Sequence, residues 1–162
     1  MLRRCAQLLA IPVLFLAAVA FLTRSAEAAD ATSKGGKEFV ARSASDMTFA
    51  ALPGGPPGPV LATLWGDPTK GAYGAIEKFP AGFSAPLHTH SGDHKVVIIS
   101  GTWIHGEEGK PDVRLGPGSY LFQPANQKHT TACDTGSECV FFIESLGKFD
   151  IKMAGEKKAA AK

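Results

Sequence analysis

With 162 residues and a net charge of +2, the chain has the length of one domain and no charge imbalance that would select a partner. Its 44% hydrophobic and 20% charged content suits one globular core and excludes an intrinsically disordered protein. No run of basic residues interleaved with aromatics occurs in the body of the chain, which excludes nucleic acid as a partner.

Residues 1–28 read as a signal peptide. Arg3 and Arg4 precede an apolar run from Leu8 to Leu22, and Ala26-Glu27-Ala28 supplies small residues for cleavage, so the mature chain starts at Ala29. The run is shorter than the roughly 20 residues of a spanning helix, and Cys5 precedes it where a lipoprotein cysteine would follow. The destination is therefore secreted or periplasmic, with membrane contact only during export. Residues 29–45 are polar and small, as in a flexible linker, and residues 154–162 form a Lys/Ala-rich, disordered tail. Between them, residues 46–153 make the folded domain.

Within that domain, Leu52–Pro59 is too rich in proline and glycine for helix or central strand. Short β-like runs follow at Val60–Trp65, Ala72–Phe79, His94–Ser100, Thr102–His105, Val113–Leu115, Ser119–Gln123, His129–Cys133 and Cys139–Glu144. Gly66-Asp67-Pro68, Pro80-Ala81-Gly82 and Gly116-Pro117-Gly118 are among the turns that separate them. Many short strands without an amphipathic helix predict an all-β sandwich or barrel.

Three of the five histidines, His88, His90 and His94, fall within seven residues as H-x-H-x3-H, and His129 follows in the Gly118–Cys133 stretch. Residues two apart on a strand share a face, so His88 and His90 can aim at one point, and the turn chemistry of Ser91-Gly92-Asp93 lets the next strand bring His94 alongside. Convergent neutral imidazoles point to one divalent transition metal, with Fe, Mn, Ni, Cu or Zn favoured over Ca or Mg.

The spacing Gly82-x5-His88-x-His90-x3-His94-x6-Gly101 resembles the first motif of the cupin family, with His94 where that motif has glutamate. Gly118-x5-Pro124-x-Asn126-x2-His129-x3-Cys133 is similar to the second, with Asn126 in place of glycine and Cys133 in place of asparagine. The resemblance spans about Val60 to Ile143. It implies a cupin-like double-stranded β-helix, a jelly-roll barrel, with one metal inside held by His88, His90, His94 and His129. A histidine in place of the carboxylate leaves the ion's charge uncompensated and makes it a stronger Lewis acid.

Cys133 and Cys139 flank a five-residue turn, and in an oxidising compartment they are expected to pair; the alternative places Cys133 at the metal site. The run Ala72–Phe79 alternates Tyr73, Ala75, Glu77 and Phe79 on one face. Facing inward, Glu77 is a candidate catalytic acid or base and Tyr73 a candidate catalytic hydrogen-bond donor; facing outward, Glu77 pairs with surface charge. Gln123 is a candidate rim contact, His105 is expected at the surface or rim, and Trp103, Phe122 and Phe141 in the core.

Two functions are compatible with these readings. One is an exported metal-dependent oxidoreductase, with dioxygenase chemistry leading, acting on a small oxygenated organic molecule. The other is a non-catalytic metal- or ligand-binding cupin, similar to sensory cupin domains. A small-molecule partner is common to both, and homodimerisation stays open.

Overall fold

Eleven strands form among residues 38–154, which are those described in this computed structural model, the longest of them rich in β-branched and aromatic residues. The signal-peptide reading, the linker before residue 38 and the tail after Ala154 lie outside the described residues. Residues 38–40 are exposed and without regular structure, and the folded unit begins at Ala41.

One sheet has six strands in the order β1 (Ala50–Ala51), β2 (Val60–Gly66), β3 (Tyr73–Phe79), β10 (Cys139–Ser145), β5 (His94–Ser100) and β8 (Tyr120–Gln123). The other has five, in the order β11 (Lys152–Met153), β4 (Ser84–Thr89), β9 (His129–Cys133), β6 (Trp103–Glu107) and β7 (Val113–Leu115). All pairings are antiparallel. The all-β, two-sheet jelly roll expected from the spacing is thus observed. The eight predicted strands recur with their bounds shifted by at most two residues, and β4, around His88, joins them. The two-residue strands β1 and β11 are too short to leave a periodic signal.

Two connections differ from the expected hairpins. Ser91-Gly92-Asp93 does not fold β5 back onto β4; it carries the chain from the five-stranded sheet to the six-stranded one. His94 therefore faces the site from the sheet opposite His88. Likewise, β9 and β10 lie in different sheets, and the Cys133–Cys139 disulfide joins the two sheets covalently at one end of the barrel. Cys133 is accordingly a structural residue.

The register orders the interior into layers. Beside the disulfide, Phe79 pairs with Cys139 and Trp103 with Cys133, and the rings of Phe79, Trp103 and Phe141 pack with centroids 4.6–5.3 Å apart. Two residues further along each strand, about 7 Å, Glu77 pairs with Phe141 and His105 with Thr131. At the far end, His88 pairs with His129 and His94 with Gln123. Phe122, expected in the core, sits on the outer face of β8 and is exposed, because Gln123 takes the inward position beside it.

Two residues at cupin-motif positions show why their backbone matters. Gly101 has φ 79°, and a Cβ there would lie 2.4 Å from the Glu138 carbonyl oxygen, so only glycine fits. Asn126, which stands in for a motif glycine, has φ 61° and is the one non-glycine residue with positive φ among the described residues. Asparagine tolerates that left-handed conformation better than most side chains.

The disulfide closes a loop with a sequence separation of only six residues, and chain entropy assigns such a loop about 2 kcal/mol. Replacing both cysteines by alanine is expected to lower the urea midpoint by that amount divided by the m-value, leaving the slope unchanged. An unchanged midpoint would show that packing alone joins the sheets at this end.

Candidate metal centre

His88 and His129 face each other across the β4–β9 ladder, with ring centroids 4.2 Å apart. His90 lies just past the end of β4, its ring 4.9 Å from that of His88 and 5.3 Å from that of His129. All three are buried, and one ring nitrogen from each lies within 4.8 Å of the other two.

Each ring is held by its other edge. Nδ1 of His88 lies 2.7 Å from the Pro86 carbonyl, Nδ1 of His129 3.0 Å from the Gln127 carbonyl, and Nδ1 of His90 contacts the Asp150 carbonyl. A carbonyl can only accept, so Nδ1 carries the proton in all three and Nε2 keeps its lone pair. This second layer of hydrogen bonds presets tautomer and orientation as metal-ligating histidines require. The donor set, three buried neutral imidazoles with free Nε2 atoms, fits a transition metal.

His94 stands outside the tight trio. Its ring is 4.4 Å from that of His90, it lines the same cavity, and its Nε2 is buried without a partner. A fourth imidazole with an unsatisfied nitrogen at this position suits a ligand that closes on the ion.

Desolvation favours the neutral form of all of these imidazoles. It lowers His90 to about 3, with the His94 ring as the next cause, His129 to about 3 and His94 to about 4, and it also lowers His88 and His105. Glu77 moves oppositely: burial raises its carboxyl to about 8. Both signs bear on the metal-free protein. Depressed histidines contribute stability that is complete above their ordinary value of about 6.5 and is lost as pH falls toward 3–4. The raised Glu77 contributes stability that is complete below 4.5 and is lost as pH rises through about 8. Several histidines outweigh one carboxyl, so thermal melts of the metal-free protein should peak near about pH 6.5, steeply on the acid side and shallowly on the alkaline side. A melting temperature that is flat from pH 4 to 6.5 would contradict this.

Around the histidines is a cavity of about 50 Å³ with walls from both sheets, including Glu77, Phe79, Trp103, His105, Gln123 and Thr131. That space takes a handful of water-sized groups. Glu77 faces inward, 2% exposed, with Oε1 unpartnered. Tyr73 is fully buried in the same row but is not among the cavity-lining residues; its hydroxyl approaches the Glu77 carboxyl without closing a hydrogen bond, and burial raises its pKa. Gln123 is buried opposite His94, with its amide nitrogen directed at the Pro124 and Gln127 carbonyls.

His105 corrects the expectation of a rim residue. It is 5% exposed, lines the cavity, and its ring stacks 5.4 Å from that of His129 at 27°. It lies on β6, four residues beyond Gly101 and outside both motifs, so neither motif marks it. Asp150 is the other residue the sequence hides. Its carbonyl holds His90, and its carboxylate accepts from the Ser91 amide at 2.7 Å and hydroxyl at 2.6 Å, locking the C-terminal segment over the site. Phe149 and Ile151, on either side, line the cavity.

A family model described as a domain of unknown function, DUF4437, matches residues 18–152. The chain belongs to this cupin-like family. Two curated relatives match segments of it. Dimethylsulfoniopropionate lyase DddQ of Ruegeria pomeroyi is 38% identical over 52 residues, 32% of this chain and 26% of that protein. The DNA damage-repair/toleration protein DRT102 of Arabidopsis thaliana is 34% identical over 91 residues, 54% of this chain and 28% of that protein. The matches to this DUF4437 chain thus span only about a quarter of the curated relatives. Among solved structures, the polyketide cyclase RemF from Streptomyces resistomycificus superposes with TM-score 0.59 and 17% identity, covering 76% of this chain and 89% of that one. An RmlC-like cupin protein from Ralstonia eutropha gives TM-score 0.54 and 20% identity, covering 71% and 79%. The fold is that of a cupin.

Proposed function

We propose that the protein is an exported metal-dependent enzyme acting on a small oxygenated organic molecule. The observation that carries this reading is the placement of three preset Nε2 donors beside a cavity whose walls hold buried, unpartnered polar atoms on Glu77, His94, Trp103 and His105. A metal that only braced the barrel would need no such cavity. Export is supported by the buried disulfide, which suits an oxidising compartment, and by the N-terminal sequence.

His88, His90 and His129 hold the ion in this reading, with His94 as fourth ligand. When bound, it supplies a Lewis acid and open positions for a substrate oxygen or dioxygen. Around it, Glu77 holds a proton at Oε1 at neutral pH and can give it up or take it back, as acid-base chemistry near pH 7 requires. Tyr73 backs the Glu77 carboxyl from the core. The apolar walls contributed by Phe79, Phe83 and Leu121 exclude bulk water, and the Asp150-anchored segment fixes the mouth.

Dioxygenase chemistry remains the leading reaction class. A second reading, proton transfer with elimination and no dioxygen, is favoured by the buried Glu77 carboxyl and by the segment shared with DddQ. Metal analysis of the isolated protein, followed by oxygen-uptake screening of small oxygenated acids, ketones and diols, tests both. One bound transition metal with oxygen consumption supports the dioxygenase; turnover in oxygen-free buffer supports the lyase. A metal-loaded protein that admits azide yet converts none of these compounds would overturn the enzyme reading in favour of the ligand-binding cupin.

A further inference from the structure

We infer that His105 and Trp103, in the two successive layers beneath the metal ligands, form a hydrogen-bonding subsite that takes the carboxylate of a ligand. The inference uses the cavity of the proposed metal centre but concerns two residues that the ligand trio leaves out.

His105 and Trp103 are two positions apart on β6, so both side chains point into the barrel. They are 5% and 6% exposed, both line the cavity, and each has a buried nitrogen without a partner: Nδ1 of His105 and Nε1 of Trp103. Leaving one buried polar group unpaired costs about 1–3 kcal/mol. Two on one strand face, both bordering the same cavity, are the signature of a place reserved for a ligand's polar atoms.

The chemistry of the pair selects the ligand. Indole N–H can only donate, so Trp103 requires an acceptor. A neutral imidazole can present an N–H at Nδ1 to the same group, and stacking against His129 fixes the plane of the ring. Glu77, in the same layer on the facing sheet, offers a further polar atom that is also unpartnered. No carboxylate belongs to the ligand trio, so a divalent ion there would keep its charge uncompensated and draw an anion into the cavity. Acceptor oxygens on a small anion describe a carboxylate, and a cavity of about 50 Å³ limits it to a few heavy atoms.

The chain has two tryptophans, Trp65 and Trp103. In zinc-loaded protein carrying ¹⁵N-tryptophan, comparison with Trp65→Phe assigns the Trp103 indole resonance. Titration with formate or acetate is expected to move that resonance saturably. His105→Phe should keep its zinc and bind acetate about tenfold more weakly or worse, the effect of losing one charge-assisted hydrogen bond. His105→Gln, which restores an N–H, should recover most of the affinity. The subsite is wrong if calorimetry detects acetate binding while the indole resonance stays fixed, if His105→Phe binds acetate as the parent does, or if neither anion binds. Loss of zinc from His105→Phe would also overturn it, by making His105 a ligand. A shifted indole in a protein that turns nothing over would leave the subsite standing and count against the enzyme alone.

Discussion

Purified His129→Ala protein is expected to carry almost no transition metal and to show no turnover. His129 is the hub of the site: its ring lies 4.2 Å from that of His88, 5.3 Å from that of His90 and 5.4 Å from that of His105. Perturbing even an outer-layer partner of a metal ligand costs roughly 10- to 100-fold in affinity, so removing the ligand itself should cost more than about 100-fold. Glutamine at this position, closer to histidine in volume, separates ligand loss from cavity formation; it should also lose the metal while melting closer to the parent. Metal content and a calorimetric affinity are the measurements. A His129→Ala protein that purifies with one equivalent of metal would place the ion elsewhere. His94→Ala reports separately on ligand number: an unchanged affinity would restrict the set to His88, His90 and His129.

The cluster of His88, His90 and His129 was legible because its geometry is local. H-x-H sets two imidazoles on one face of the extended stretch that ends β4, with His90 just past the strand, and the second motif puts His129 on a strand of its own. The jelly roll was legible for a similar reason, since a run such as Cys139–Ser145 alternates strictly between buried and half-buried positions. What stayed hidden depends on which strands become neighbours. His105 lies in the cavity only because β6 pairs with β9 in a register that sets His105 against Thr131, and no pattern within β6 encodes that choice. The Asp150 carbonyl reaches His90 across sixty residues through the two-residue strand β11, which is too short to read. Phe122 was misplaced because Tyr120–Gln123 is a four-residue edge strand, where phase is decided by Gln123 facing His94 and not by hydrophobicity. Glu77 was the reverse case. Its strand gave two equally apolar-looking faces, and the core formed by Tyr73, Ala75 and Phe79 chose the inward one.

That inward choice makes Glu77→Gln the most discriminating substitution. Glutamine keeps the shape of the side chain and its hydrogen-bonding reach but cannot exchange a proton, so turnover should fall by roughly 10²- to 10⁴-fold while metal content is unchanged. A second readout follows from burial, which raises the Glu77 carboxyl to about 8. In the parent, the stability that this group contributes is complete below 4.5 and is lost as pH rises through about 8, because ionisation is free in the unfolded chain and costly in the barrel. The variant has nothing to ionise there, so the alkaline limb of its melting curve should flatten while the histidine-driven acid limb stays in place. The two measurements fail independently. A flattened alkaline limb with undiminished turnover would make Glu77 a buried carboxyl of the core and no part of the chemistry; loss of metal would make it a ligand. If turnover falls and the alkaline limb keeps its slope, the group titrating near pH 8 is not Glu77, and its role as proton carrier would pass to another group bordering the cavity.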